Sequence, residues 1–115
     1  MSDCSNSVRA SRKTVEVGRV AVFPGVQPTK EQALKVLEEA AEVVEAFKGY
    51  DEAKAAGESM GLPRHEIVMG TRDDLLDECA DVIQAVCNLA ASLGVRDMTD
   101  RMHECRARNE KRGRL

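Results

Sequence analysis

The sequence predicts an all-α fold, a helical bundle of three to four helices. Two long segments, 30–49 and 72–93, place apolar residues at spacings of three and four, which is the period of an amphipathic helix. A threonine precedes each segment, with a glutamine or an aspartate three residues later, as in a helix-capping box. A chain of 115 residues is long enough for one modest core and too short for two.

Residues 1–28 are predicted to form an N-terminal tail or extended arm, and residues 29–115 to form the helical domain. The beginning of the chain is polar and has no apolar stretch, so no secretory signal is expected. Residues 15–26 are rich in β-branched side chains and reach a Pro-Gly pair, Pro24-Gly25. This pattern favours either a short strand or an extended arm.

The first helix is predicted over 30–49, because Thr29 and Gln32 form a capping box at its start. Its apolar stripe covers nearly half of the circumference and consists of Leu34, Val36, Leu37, Ala41, Val43, Val44 and Phe47. So wide an apolar face predicts burial against more than one neighbour.

The segment 51–70 carries four Pro and Gly residues, so we expect an interruption between the long helices. Its first part is compatible with helix, and residues 61–63 are predicted to break it. Thr71 and Asp74 then resemble a second capping box, which predicts a helix over 72–93.

Gly94 is predicted to end the second helix. A third helix is expected to begin near Asp97 or Thr99 and to end by Gly113. Three or four helices with little sheet are typical of an all-α bundle.

The composition argues against nucleic-acid and membrane partners. The net charge is −3, and the aromatic residues are Phe23, Phe47 and Tyr50, too few for stacking along a nucleic-acid strand. No apolar stretch is long enough to span a membrane. The four cysteines form no C-x-x-C pair and the chain has two histidines, so we expect no zinc site and a reducing, cytoplasmic location.

Both long helices carry acidic pairs at helical spacing. Glu39 and Glu42 are three residues apart in the first, and Glu78 and Asp81 in the second. If the two pairs face each other, four carboxylates come together, and a divalent cation with oxygen ligands would relieve their repulsion. The alternative is a solvated helix face. The second pair favours the cation, because it borders the apolar face and no Lys or Arg follows Arg72 in that helix.

The ordered motifs Glu38-Glu39-x-x-Glu42 and Glu78-x-x-Asp81 resemble the signature of the MazG-like superfamily of all-α nucleoside triphosphate pyrophosphohydrolases. This superfamily includes dimeric dUTPases, dCTP pyrophosphatases and phosphoribosyl-ATP pyrophosphatase. The similarity covers roughly residues 29–112, although the gap between the motifs is longer than in compact members.

The resemblance implies a reaction in which a nucleoside triphosphate and water give the monophosphate and pyrophosphate. It implies Mg²⁺, with Mn²⁺ as a possible substitute, bound by Glu39, Glu42, Glu78 and Asp81. Glu38 would be a supporting acid, either behind the ligands or as the base for the attacking water. These five acids are the candidate catalytic residues.

The C-terminal segment is basic and offers cations for the outer phosphates. The resemblance favours Arg108, Lys111 and Arg112, with Asn109 as a polar contact. Asn88 is a further candidate, for contact with a base or ribose. The alternatives are a solvated helix end for the cations and a structural polar residue for Asn88.

Three interpretations therefore stand: a nucleoside triphosphate pyrophosphohydrolase, a phosphoribosyl-ATP pyrophosphatase-like enzyme, and a non-catalytic helical interaction module. The wide apolar faces of both long helices also predict a homodimer or homotetramer, because a chain this short cannot cover them by itself.

Overall fold

The structure, a computed structural model, describes residues 13–59 and 66–115. Within these ranges the chain forms three α-helices and no strand, which confirms the all-α prediction. The helices are α1 (Lys30–Ser59), α2 (Glu66–Ser92) and α3 (Thr99–Lys111). The predicted break at 61–63 lies outside the described residues.

α1 begins as predicted and ends later than predicted. The backbone N–H of Gln32 donates a hydrogen bond of 3.2 Å to Oγ1 of Thr29, which caps the helix. The helix continues to Ser59 instead of ending at residue 49. The sequence from 51 to 59 is rich in Ala, Glu and Lys, which favour helix strongly enough to outweigh the single Gly57.

The predicted start of α2 is wrong. The helix begins at Glu66, so Thr71 lies inside it and does not cap it. Its hydroxyl donates a hydrogen bond of 2.9 Å to the backbone oxygen of Val68. A threonine hydroxyl can bond to the preceding helical turn as well as to a free N–H, so the Thr71–Asp74 spacing fits both positions.

The predicted ends of α2 and α3 are confirmed, and both are Schellman motifs. Gly94 has a φ of +82°, and the N–H of Val95 reaches back 3.0 Å to the oxygen of Ala90. Gly113 has a φ of +75°, and the N–H of Arg114 reaches back 2.9 Å to the oxygen of Asn109. Glycine suits both positions because it has no side chain to oppose a positive φ.

The tertiary structure is a helix pair to which α3 does not contribute. α1 and α2 pack along each other, and α3 packs against neither in the described part of the chain. The Cα radius of gyration is 18.3 Å, where a compact chain of this length has about 13 Å. The described residues therefore form a helix pair with an attached helix, and the complete bundle stays a prediction.

α1 presents its strongest apolar positions to solvent. Leu37 is 66% exposed and Val44 is 58% exposed, whereas Val36, Ala40 and Val43 are partly buried against α2. In the single chain Glu39 lies towards α2, and Leu37, a member of the predicted apolar stripe, faces solvent. Because the stripe spans nearly half the circumference, its period could not indicate which edge the single neighbouring helix covers.

Residues 13–28 form an extended arm that lies along α2. The N–H of Phe23 donates 3.1 Å to Oδ1 of Asn88, and Nε2 of Gln84 donates 2.8 Å to the backbone oxygen of Ala21. Of the two predicted alternatives, strand or arm, the described structure has the arm.

Candidate functional site

Carboxylates of α1 and α2 converge between the two helices. One oxygen each of Glu39, Glu78 and Asp81 lies within 4.8 Å of the other two. Glu42 lies near this group, because it raises the pKa values of Glu39 and Glu78. The structure thus brings together three of the four residues that the sequence nominated as metal ligands, with Glu42 near them. We call these four residues the acidic cluster.

Two members of the acidic cluster, Glu39 and Glu78, have raised pKa values. The hydrogen bond with Glu42 contributes most to raising the pKa of Glu39 above 4.5, followed by partial burial and by the charges of Glu42, Asp81 and Glu78. For Glu78, burial contributes most to the raised pKa, followed by the hydrogen bond with Glu42 and the neighbouring charges. Hydrogen bonding, burial and neighbouring negative charge thus all disfavour ionisation of these two carboxyls.

Glu78 also has an unsatisfied acceptor. Its Oε2 is shielded from solvent and accepts no hydrogen bond from any described residue. A buried acceptor without a partner costs stability, and a cation or a donor would remove that cost. Several carboxylate oxygens within a few ångströms fit a hard divalent cation such as Mg²⁺, which prefers oxygen ligands and retains waters.

Glu38 lies apart from the acidic cluster in an exposed ion pair. Its Oε2 is 3.1 Å from Nζ of Lys35. That hydrogen bond contributes most to raising the pKa of Lys35, and the charges of Glu38, Glu39 and Glu42 act in the same direction. The predicted supporting role of Glu38 stays a prediction, while Lys35 holds a positive charge beside the cluster.

A cavity of about 420 Å³ opens beside the acidic cluster. Its walls are residues 23–26 of the arm, Gln32, Lys35 and Glu39 of α1, and Asp81, Gln84, Ala85 and Asn88 of α2. This volume lies within the usual range of small-molecule sites. The cavity combines acids, one lysine, side-chain amides and an aromatic residue.

Asn88 lies in the cavity wall, and its side-chain oxygen is already used by the protein. It is 4% exposed, and Oδ1 accepts hydrogen bonds from the N–H of Phe23 and, at 3.0 Å, from Nε2 of Gln84. It therefore holds the arm, as the structural alternative for this residue requires, while its predicted contact with a base or ribose stays a prediction.

Among the cavity residues that were not predicted from the sequence are three polar side chains of the helices, Gln32, Lys35 and Gln84. Their signal was present as helical spacing: Lys35 lies four residues before Glu39, and Gln84 lies three residues after Asp81. Each therefore shares a helix face with a cluster acid.

The predicted phosphate-binding residues lie elsewhere in the single chain. Arg108, Lys111 and Arg112 are exposed on or beside α3, and none of them lines the cavity. Asn109 is partly buried and contacts residues near its own helix, donating 3.6 Å to Sγ of Cys105. Within one chain the structure does not bring these four residues to the acidic cluster, so their contact with substrate stays a prediction.

No known protein family, curated protein or solved structure matches this chain. The geometry of the cavity and of the acidic cluster therefore carries the functional interpretation. None of the helices in the described ranges is both long and apolar enough to cross a membrane.

Proposed function

We propose that this protein is a Mg²⁺-dependent nucleotide pyrophosphohydrolase, which converts a ribo- or deoxyribonucleoside triphosphate to the monophosphate and pyrophosphate. The convergence of Glu39, Glu78 and Asp81 from two helices, beside a cavity, carries the proposal. The unsatisfied oxygen of Glu78 and the raised pKa values of Glu39 and Glu78 support cation binding at this place.

In this proposal Glu39, Glu42, Glu78 and Asp81 hold Mg²⁺, or Mn²⁺ in its place. Such an ion neutralises phosphate charge and lowers the pKa of bound water. The carboxylates must be ionised to bind it, so they stay charged when the site is loaded. Glu38, one residue before Glu39, is the candidate supporting acid or base.

Lys35 supports a phosphate-binding role for the same cavity. Its side-chain nitrogen is paired with Glu38 at the cavity wall. Because the pKa of Lys35 is raised, this group is positively charged at neutral pH. An exposed ion pair of this kind is weak, so phosphate oxygens can compete with Glu38 for the lysine. A cation at this place would orient the chain of phosphates against the acidic cluster.

The exposed apolar face of α1 supports a homodimer or homotetramer. We define the outer face as Leu34, Leu37, Val44 and Phe47. In such an assembly Arg108, Asn109, Lys111 and Arg112 of one copy are available to the cavity of another, which their position on the separate α3 allows.

A phosphoribosyl-ATP pyrophosphatase-like enzyme is the second candidate, since it would use the same acids and bond. A non-catalytic interaction module is the third, and the outer face is the observation in its favour. The two enzymes require a divalent ion for activity, whereas the module does not.

Release of pyrophosphate from each ribo- and deoxyribonucleoside triphosphate, with and without Mg²⁺, tests the proposal. We expect Mg²⁺-dependent release from at least one of them, with the monophosphate as co-product. Phosphoribosyl-ATP is the comparison substrate for the second candidate. The absence of metal-dependent turnover with every compound would leave the interaction module as the remaining function.

A further inference from the structure

The cavity beside the acidic cluster has two chemically different ends. On α2, Asp81 and Asn88 are seven residues apart, so they are separated by about 10 Å along the helix. The arm is attached to Asn88, which accepts a hydrogen bond from the N–H of Phe23. Acids therefore lie at one end of the cavity and the arm lies at the other.

The same change in chemistry, away from the acids, runs along α1 towards its N-terminus. Glu39 lies beside Asp81, and Gln32, seven residues earlier, is also in the cavity wall. Lys35 lies between them. From the acidic end, the cavity thus passes from carboxylates to a lysine and then to amides and the arm.

Phe23 is available to a ligand at the arm end. It lines the cavity and still leaves 58% of its surface exposed, although its backbone is fixed to Asn88. A residue that only covered the helix pair would gain most by burying its ring. A fixed backbone with an exposed aromatic ring is instead suited to stacking against a planar group.

We infer that residues 23–26 form the nucleoside-binding wall of the cavity, with Phe23 stacking on the base and Asn88 positioning the arm. The inference rests on the proposed function, because it assigns the nucleoside end of the same substrate whose phosphates lie towards the acidic cluster. Gln32 supplies amide groups for hydrogen bonds at this end.

Equilibrium binding to the full chain tests the role of Phe23. The probes are α,β-imido analogues of the nucleoside triphosphates, which resist cleavage at the reacting bond, and tripolyphosphate, which has no nucleoside; all are measured with Mg²⁺. In Phe23→Ala we expect the Kd of the nucleotide analogue to rise about tenfold, the order of one lost stacking contact. The Kd of tripolyphosphate should change by less than about twofold.

Val17→Ala is the matched control. Val17 is on the same arm and 56% exposed, and it does not line the cavity. Its affinity for both probes should equal that of the wild type. Equal weakening of both probes by Phe23→Ala, or an unchanged nucleotide Kd, would overturn the inference.

Asn88 is tested as a positioning residue by two variants. Asn88→Ala removes the acceptor for the N–H of Phe23, so we expect faster hydrogen exchange at that amide and a weaker nucleotide affinity. Asn88→Asp keeps an acceptor oxygen and should restore slow exchange. Unchanged exchange in Asn88→Ala would contradict the positioning role, and the exposed Phe23→Ala substitution decides the inference if Asn88→Ala does not fold.

The two proposals fail in different ways. If the wild type binds the nucleotide analogues but releases no pyrophosphate from any triphosphate, the proposed function is wrong, and the Phe23→Ala affinities still decide the nucleoside wall. If the wild type binds tripolyphosphate and nucleotide equally well, no nucleoside contact exists and the inference is overturned, while pyrophosphate release still decides the proposed function.

Discussion

The surface between α1 and α2 and the outer face of α1 differ in a way that reverses the usual arrangement. Glu39 and Glu78 converge from the two helices and are partly buried, while Leu37 and Val44 are exposed. A helix of a self-contained globular protein normally buries its apolar stripe and exposes its charges. Both surfaces are therefore incomplete in the single chain, each for a different reason.

The difference shows which kind of partner would complete each surface. Between the helices the excess is negative charge and an unsatisfied carboxylate oxygen, which a cation relieves. On the outer face the excess is apolar area, which another protein surface would cover. A substitution in one surface should leave the role of the other intact, so turnover and oligomeric mass test the two surfaces separately.

The largest effect is expected from Glu78→Gln. The amide cannot supply the anionic ligand, so we expect pyrophosphate release to fall at least about 100-fold while the fold is retained. Without metal the variant should be as stable as the wild type or slightly more so, because one repulsive charge is removed. Turnover assays and thermal unfolding measure the two quantities.

Glu45→Gln is the control for that substitution. Glu45 is an exposed acid of α1, 3.5 Å from Nζ of Lys48 and outside the acidic cluster. Its loss should leave turnover within about twofold of the wild type, since exposed pairs contribute little. Wild-type turnover in Glu78→Gln would remove Glu78 from the mechanism.

Leu37→Glu tests the outer face. A charge at this position would be buried and repelled in a symmetric interface, so we expect the assembly to dissociate towards the 12.6 kDa chain. Sedimentation velocity at micromolar concentration measures the mass. Val15→Glu, in the exposed arm, is the control and should keep the wild-type mass. A wild-type chain that is monomeric and active would contradict the proposed assembly.

Mixed oligomers test whether α3 completes the cavity of another copy. Chains carrying Glu78→Gln lack the acid and chains carrying Arg112→Ala lack the cation, and each is expected to be inactive alone. If sites are shared, mixing and reassembling them restores part of the turnover, because some sites receive an intact residue from each chain. No recovery would place each site within one chain.

The smallest effect is expected in the pH dependence of stability without metal. The pKa values of Glu39 and Glu78 are raised in the fold, so these groups bind protons more readily when folded than when unfolded. Their ionisation therefore costs stability, and the free energy of unfolding should increase as pH falls from neutral through the raised pKa values towards 4.5.

Two comparisons separate this effect from others. Added Mg²⁺ should stabilise the protein most at neutral pH, by about 2.7 kcal/mol at 100 times its Kd, and less as the acids are protonated. The pKa of Asp97 is lowered by the hydroxyl of Thr99 and then by its N–H, so its contribution is lost only as pH falls below 3.8. Thermal unfolding across pH, with and without Mg²⁺, measures these contributions. A metal-free stability that decreases steadily below neutral pH would contradict the effect assigned to Glu39 and Glu78.

Local chemistry within a few residues was readable from the sequence. The cap at Thr29, the ends at Gly94 and Gly113 and the start near Asp97 each depend on neighbours in the chain, and all were predicted correctly. The error at Thr71 arose because its hydroxyl has a second acceptor within the helix.

By itself, the sequence determined the helices and the face on which each acid lies, because a period of 3.6 residues fixes which side chains share a face. Only the tertiary structure decided that Glu39 turns towards Glu78 and Asp81, that Leu37 turns outward, and that the arm closes one end of the cavity. The physical reason is that rotation of α1 about its axis depends on which part of a wide apolar stripe its neighbour covers. That choice is made by packing between residues far apart in the chain, which the spacing within one helix does not record.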